Sequence, residues 1–326
     1  MAIVVSDFAA LTDDLQSIFN EQSSKAIAEM QATKLFDMKD TSRRTHDHLV
    51  LHGIAGVEEV TPGSDLPSVT SEQGDSITYT QKYYGALAVV TKEMRKFDLH
   101  DQIESQVRSL AQDAFHKVDQ SCADVLLNGW STSYSDVYGS TVTATGPDGL
   151  ALFSSVHSNN INSTTFSNLL VNAAGTADPA LDRASIVESR ARAMRFTDPN
   201  GLVRPIMLDT LVVSATNEDL AERILYSSQL PGTPNNDINA LKGKVKNLIV
   251  WPRLDVRTGG TDTDQYWFMA SSNGVKESLK ALFAERPSLD APEQVYENKN
   301  WEYSLDFFYT LGLGYAPYIR GSRGTA

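Results

Sequence analysis

The sequence predicts a mixed α+β protein, and three observations predict it. Residues 98–128 carry one apolar stripe at three-or-four spacing: Leu99, Ile103, Val107, Leu110, Ala114, Val118, Cys122, Val125 and Leu126. Residues 301–311 alternate instead. Trp301, Tyr303, Leu305, Phe307, Tyr309 and Leu311 take one face, and Glu302, Ser304, Asp306 and Thr310 take most of the other. From about residue 202, short apolar runs alternate with a helical pattern, which is the mark of an α/β unit.

Along the chain, residues 6–39 favour a helix. Leu11, Leu15, Ile18 and Phe19 share a face, and Ile27 with Met30 continues a weaker stripe, so an N-terminal helical arm is expected. Residues 43–51 read as extended. Residues 53–92 are punctuated by Gly53, Gly56, Pro62, Gly63, Pro67 and Gly74, while Ile77-Thr-Tyr79-Thr alternates. This predicts a long two-stranded excursion, marginal alone and in need of support, including support from another chain. Asp98 can cap the long helix that follows, and Asn128-Gly129 can stop it. At ~30 residues and ~45 Å it is long enough to be the spine of the fold.

Residues 129–177 are rich in Ser, Thr, Asn and Gly and predict loops and short strands. Asp178-Pro179 then offers a cap and a first-turn proline for a helix to about Phe196, closed by the turn Asp198-Pro-Asn-Gly201. Strands are expected at 211–214, 245–251 and 266–270, a helix at 216–226, a loop at 231–236 and an exposed hairpin tip at 259–264. No internal repeat is present.

The chain has 326 residues, 28 Lys+Arg and 41 Asp+Glu, for a formal net charge of −13. That excludes a coat that works by neutralising phosphates. Its one cysteine, Cys122, excludes an internal disulfide framework and a cysteine zinc cage, and suits a reducing compartment. On the spine stripe it is expected to be a buried, inert thiol. The N-terminus lacks the pattern of a signal peptide, and no apolar run reaches the ~20 residues a membrane span needs.

Candidate chemistry is sparse. His46, His48 and His52 fall on one face of an extended segment, but no further ligand completes a metal set. Ser154, Ser155 and His157 near Asp148 lack a nucleophile elbow, and neighbours on one short segment converge poorly. Gly312-Leu-Gly314 is followed by Pro317 rather than a helix, so it is no phosphate loop. Asp262 and Asp264 are too few for a calcium loop. No catalytic, cofactor-binding or metal-binding set is therefore expected. One charge pattern stands out: Glu58, Glu59, Asp65, Glu72 and Asp75 lie between Gly53 and Thr80 with no Lys or Arg among them. Arg183 and Arg190, seven apart, share a helix face. These seven residues are the candidates for contact between subunits, the acidic excursion seeking a neighbour's basic helix.

The order of elements resembles a tailed-bacteriophage major capsid protein of the HK97 type. Tyr84-Gly85-Ala-Leu-Ala-Val-Val-Thr91-Lys-Glu93-Met94, leading into the helix that ends at Leu127-Asn-Gly129, is similar to the family's extended-loop return into its spine helix. Asp148-Gly-Leu-Ala-Leu-Phe153-Ser-Ser-Val-His157 is similar to a segment of Mu-like major head subunits. Leu211-Val-Val-Ser214, the next helix, Leu241-Lys-Gly-Lys-Val245 and Leu248-Ile-Val-Trp251 look like the family's axial domain.

The resemblance implies an α+β HK97-like capsid fold. Its parts would be an N-terminal arm (1–52), an extended β-hairpin loop (53–93), a peripheral domain (94–199) with spine helix 98–128, an axial α/β domain (200–294) and a return strand (295–326). It implies hexamers and pentamers in an icosahedral shell around double-stranded DNA held without specific binding. It also implies a portal, in some cases a decoration protein, no cofactor, no membrane, and assembly in the host bacterial cytoplasm. Some relatives weld subunits through a loop lysine, but no Lys lies between Lys39 and Lys82 here. Some carry a large N-terminal scaffolding segment, for which 30–50 residues are too few, so a separate scaffold protein is expected. The alternatives are an encapsulin-like nanocompartment shell, another phage structural protein, and a soluble hydrolase on Ser154 and His157.

Overall fold

A computed structural model describes residues 4–51, 59–66, 73–97, 100–136, 139–158, 164–198, 201–229, 238–257, 261–295 and 297–325. The chain divides into two compact units, one of residues 1–46, 80–122 and 281–311, the other of 47–79, 123–280 and 312–326.

In the first unit the N-terminal helix Val4–Glu29 buries Leu15, Phe19 and Ala26 at helical spacing, Met30 is buried just past its end, and Ile27 is exposed. The spine helix is described from His100 to Leu127, and the expected cap Asp98 lies outside the described residues. Ile103, Val107, Ala114, Val118 and Cys122 are buried along the predicted stripe. Just before it, Thr91 Oγ1 accepts from the Met94 amide at 3.2 Å and caps a short helix, Lys92–Lys96.

The sheet of this unit has Leu279–Leu289 between Asp37–Asp40 and the long return strand Trp301–Leu313, with Glu293–Gln294 beyond. Lys82–Val90 pairs antiparallel with the return strand, from Trp301 opposite Val90 to Tyr309 opposite Lys82. Tyr303, Leu305, Phe307 and Tyr309 are buried, as the alternation predicts. The opposite face leaves Tyr83, Leu87 and Val89 exposed.

The second unit is built on a four-stranded sheet in the order Asn247–Val250, Thr210–Val213, Trp267–Ala270, Ile319–Ser322. The first pair is parallel and the others antiparallel. Leu211, Val213, Trp267 and Met269 form one core with Ile186 and Ala193 of helix Arg183–Met194 and with Ala221, Ile224 and Leu225 of helix Glu218–Tyr226. A second aromatic group gathers Trp130, Phe153, Tyr266 and Phe268.

Two sequence expectations change, and the end of the spine helix before Asn128-Gly129 is as expected. The strand Gln73–Thr80 pairs with Thr45–Leu51, and Lys82–Val90 joins a different sheet, so the excursion draws its second strand from upstream of residue 53. The helix expected after Asp178-Pro179 begins at Arg183, capped by Asp182, whose carboxylate accepts from the Ala184 amide at 3.0 Å. The Pro179 carbonyl instead accepts from Trp267 Nε1 at 2.8 Å and Ser322 Oγ at 2.6 Å, which holds that stretch out of the helix. Gly129 follows the spine helix but is not left-handed. A Cβ there would sit 2.5 Å from the Phe153 ring, so a side chain is excluded by packing. The loop at 231–236 lies outside the described residues.

Candidate functional site

Of the seven contact candidates, Glu58 and Glu72 lie outside the described residues. Glu59 and Asp65 are exposed on a segment, residues 59–66, held by its own turn. In that turn the Ser64 amide donates to the Thr61 carbonyl at 3.1 Å, and Ser64 Oγ donates to the same carbonyl at 2.8 Å. Leu66 beside it is 82% exposed. Asp75, by contrast, is buried, so it is no part of an outward acidic surface.

The arginines are also placed differently from the expectation. Arg190 is buried, because its helix turns that face to the sheet that carries Leu211 and Met269. Its Nε and Nη1, and the Nε of Arg183, have no hydrogen-bond partner. Burial draws the Arg190 guanidinium below the usual arginine range, opposed by the charge of Asp209. Arg190 cannot receive a neighbour's loop without repacking. Arg183 is half-buried.

The other candidates resolve as structure. His46 and His48 lie on the strand Thr45–Leu51, His48 stacks on Tyr79, and His52 is outside the described residues. Among the described residues no group of three or more His, Cys, Asp or Glu is placed to hold a metal. His157 Nδ1 is 2.7 Å from Asp148 Oδ2 and Nε2 is 3.2 Å from the Leu152 carbonyl. Ser154 Oγ accepts from the Val156 amide, so neither ring nitrogen is engaged by that hydroxyl. Gly312 and Gly314 serve close packing. Cβ atoms there would sit 2.6 Å from the Tyr79 ring and 2.0 Å from the Glu277 carbonyl oxygen. The Asp264 carbonyl anchors Ser214 Oγ and Asn217 Nδ2, both at 2.6 Å. Cys122 is fully buried.

Sequence reasoning missed Asn168. It is fully buried, donates to the Leu152 carbonyl at 2.6 Å and the Ala316 carbonyl at 3.3 Å, and accepts from the Ser154 amide at 2.9 Å. In a stretch rich in Ser, Thr and Asn nothing marks it out. It also passed over the exposed row Tyr83, Leu87 and Val89, which a period of two would have separated from buried Val90.

Solved capsid structures share this fold over most of their length. The capsid of Ralstonia phage GP4 matches with 11% identity, covering 88% of this chain and 86% of that one, at a TM-score of 0.56. The capsid of Myoviridae phage XM1 matches with 12% identity, 87% and 88% coverage, and a TM-score of 0.51. The capsid of an empty GTA particle matches with 10% identity, 90% and 89% coverage, and a TM-score of 0.52. The fold is the α+β HK97-like capsid fold.

The phage capsid protein family matches residues 74–322, and the chain belongs to that family. No curated protein matches it by sequence. As a family member it is a structural, non-enzymatic protein of the virion capsid. Among the described residues no helix is long and apolar enough to cross a membrane.

Proposed function

We propose that this chain is the major head subunit of a tailed phage, assembling as hexamers and pentamers into an icosahedral shell around double-stranded DNA. The family match over residues 74–322 carries the reading. The segment Asp148 to His157 supports a kinship with Mu-like head subunits. The functional parts are then the arm (1–52), extended loop (53–93), peripheral domain (94–199), axial domain (200–294) and return strand (295–326). A net charge of −13 suits a wall that contains DNA without gripping it. Assembly takes place in the host cytoplasm with a separate scaffold protein and a portal, and a decoration protein is a further candidate partner.

Contacts between copies fall to what each copy leaves exposed, among them Glu59, Asp65 and Leu66 of the loop. Exposed ion pairs contribute about 0–1 kcal/mol each, so only repetition around a shell makes them decisive. The test is expression with the scaffold, followed by symmetry classification of electron images and nuclease treatment of filled particles. Five-fold and six-fold capsomers protecting DNA are expected. Shells of one capsomer type, or DNA left open to nuclease in filled particles, would contradict the reading. Charge reversal at Glu58 and Glu59 together is expected to slow assembly of a normally folded chain, and unchanged assembly would remove the loop's charge from the account.

A further inference from the structure

We propose that Arg320 and Arg192 form a socket for one small oxyanion, a phosphate or carboxylate group, where helix Arg183–Met194 meets the strand Ile319–Ser322. The socket does not depend on the shell reading.

Strand register places Arg320 opposite Met269. The neighbouring Gly321 turns its face to Phe153, whose ring would lie 2.9 Å from a Cβ there. Alternation therefore sends Arg320 to the other face, that of Met269, which packs with Ile186 and Ala193 of the helix. Two bonds tie helix and strand through the segment between them. The Leu170 amide donates to the Gly321 carbonyl at 2.9 Å, and the Val171 amide donates to Ser189 Oγ at 3.1 Å. Arg192 lies about one turn beyond Ser189. Its Nη2 would lie 2.9 Å from a Cβ on Gly175, in the turn that follows Val171.

Arg320 is 4% exposed, its Nε is fully buried, and among the described residues no oxygen accepts from its guanidinium. Burial draws the group below the usual arginine range, to about 10, and the charge of Arg192 adds to that, so it stays charged at neutral pH. The charge acting on it is thus another cation. Other arginines of this unit are placed differently. Arg323 donates to Asp178 Oδ2 at 2.8 Å and 2.6 Å, and the charge of Asp209 opposes the burial of Arg190. Arg192 donates through Nε to Glu188 Oε1 at 2.8 Å, and its side chain is 43% exposed, which leaves its Nη edge to a ligand arriving from solvent. Two guanidinium groups and one carboxylate leave a single positive charge, which one anionic group balances. A guanidinium offers two parallel N–H bonds to the oxygens of a carboxylate or phosphate, and such a partner removes the cost of burying a cation without an acceptor. A free phosphate and an acidic side chain of a second copy both have this chemistry.

The test takes thermal midpoints of the full chain at neutral pH in rising inorganic phosphate, against sodium chloride at matched ionic strength. Phosphate also stabilises folded proteins without occupying a site, so the comparison with variants decides. At about tenfold excess over its dissociation constant, phosphate is expected to raise the midpoint of the unsubstituted chain by about 3–6 °C. In Arg320→Gln and in Arg192→Gln that gain is expected to drop to about a third, the mark of about tenfold weaker binding. Arg192 lies at the surface, so Arg192→Gln decides alone if Arg320→Gln does not fold. Sedimentation over a range of protein concentrations separates the two sources. A free anion leaves association unchanged. An acidic side chain of a second copy shows as self-association that phosphate weakens and both variants reduce. A phosphate response equal in all three chains, or absent, with association also the same in all three, would overturn the socket.

Discussion

Ser121 Oγ lies 2.8 Å from the phenolic oxygen of Tyr309, joining the spine helix to the buried face of the return strand. Ser121 already donates to the Lys117 carbonyl at 2.8 Å, so Tyr309 is the donor to Ser121. Burial, aided by the neighbouring Tyr84, pushes the Tyr309 phenol well above its ordinary range and keeps that proton in place. Tyr309→Phe keeps the ring and removes the bond, and is expected to cost about 1 kcal/mol in urea unfolding. Tyr309→Ala is expected to cost about 3–5 kcal/mol.

The two faces of this sheet should respond differently to truncation. Leu305 is 2% exposed and Leu87 is 58% exposed. Leu305→Ala is expected to lower stability by about 2–5 kcal/mol, and Leu87→Ala by less than about 0.5 kcal/mol. Denaturant midpoints of the two variants check the assignment of faces, and similar losses would reverse it.

Gly314 cannot carry a side chain without backbone movement, because a Cβ would meet the Glu277 carbonyl oxygen at 2.0 Å. Gly314→Ala is expected to cost at least about 1–3 kcal/mol, read as a lowered thermal midpoint.

The Asp148 pair fixes a pH dependence with a definite sign. Burial acts to raise this carboxyl, but His157 lowers it further, so the folded value lies below the unfolded one. A depressed carboxyl stabilises the fold fully above its unfolded value, about 3.9, and that stability is lost as pH falls through the folded value. Thermal midpoints taken downward from pH 5 are expected to fall less steeply in Asp148→Asn than in the unsubstituted chain. Parallel profiles would show that the pair contributes nothing to acid sensitivity.

The periodic elements were legible because one physical demand wrote each of them. Val107, Val118 and Cys122 recur at helical spacing, and Leu305 and Phe307 at strand spacing, because each faces a core. Partnership was not legible. Nothing local in Gln73–Thr80 says that it pairs with Thr45–Leu51 rather than folding back on itself, since pairing is settled by distant chain. The sequence pointed to Asp178 as the cap, but Asp182 takes that place, because Trp267 and Ser322, far along the sequence, claim the Pro179 carbonyl. The contact candidates were read from charge alone. Charge marks exposure only on average, and Asp75 and Arg190 are both buried. Ser154 and His157 near Asp148 were set aside as a hydrolytic site, and the structure has the His157 ring nitrogens against Asp148 and the Leu152 carbonyl.

The central claim is that this chain builds a shell, and sedimentation of the purified protein with negative-stain imaging tests it most directly, alone and with its scaffold co-expressed. Closed particles, or free rings of five and six, are the predicted result. A stable monomer or dimer under every condition, with the scaffold present, would contradict it.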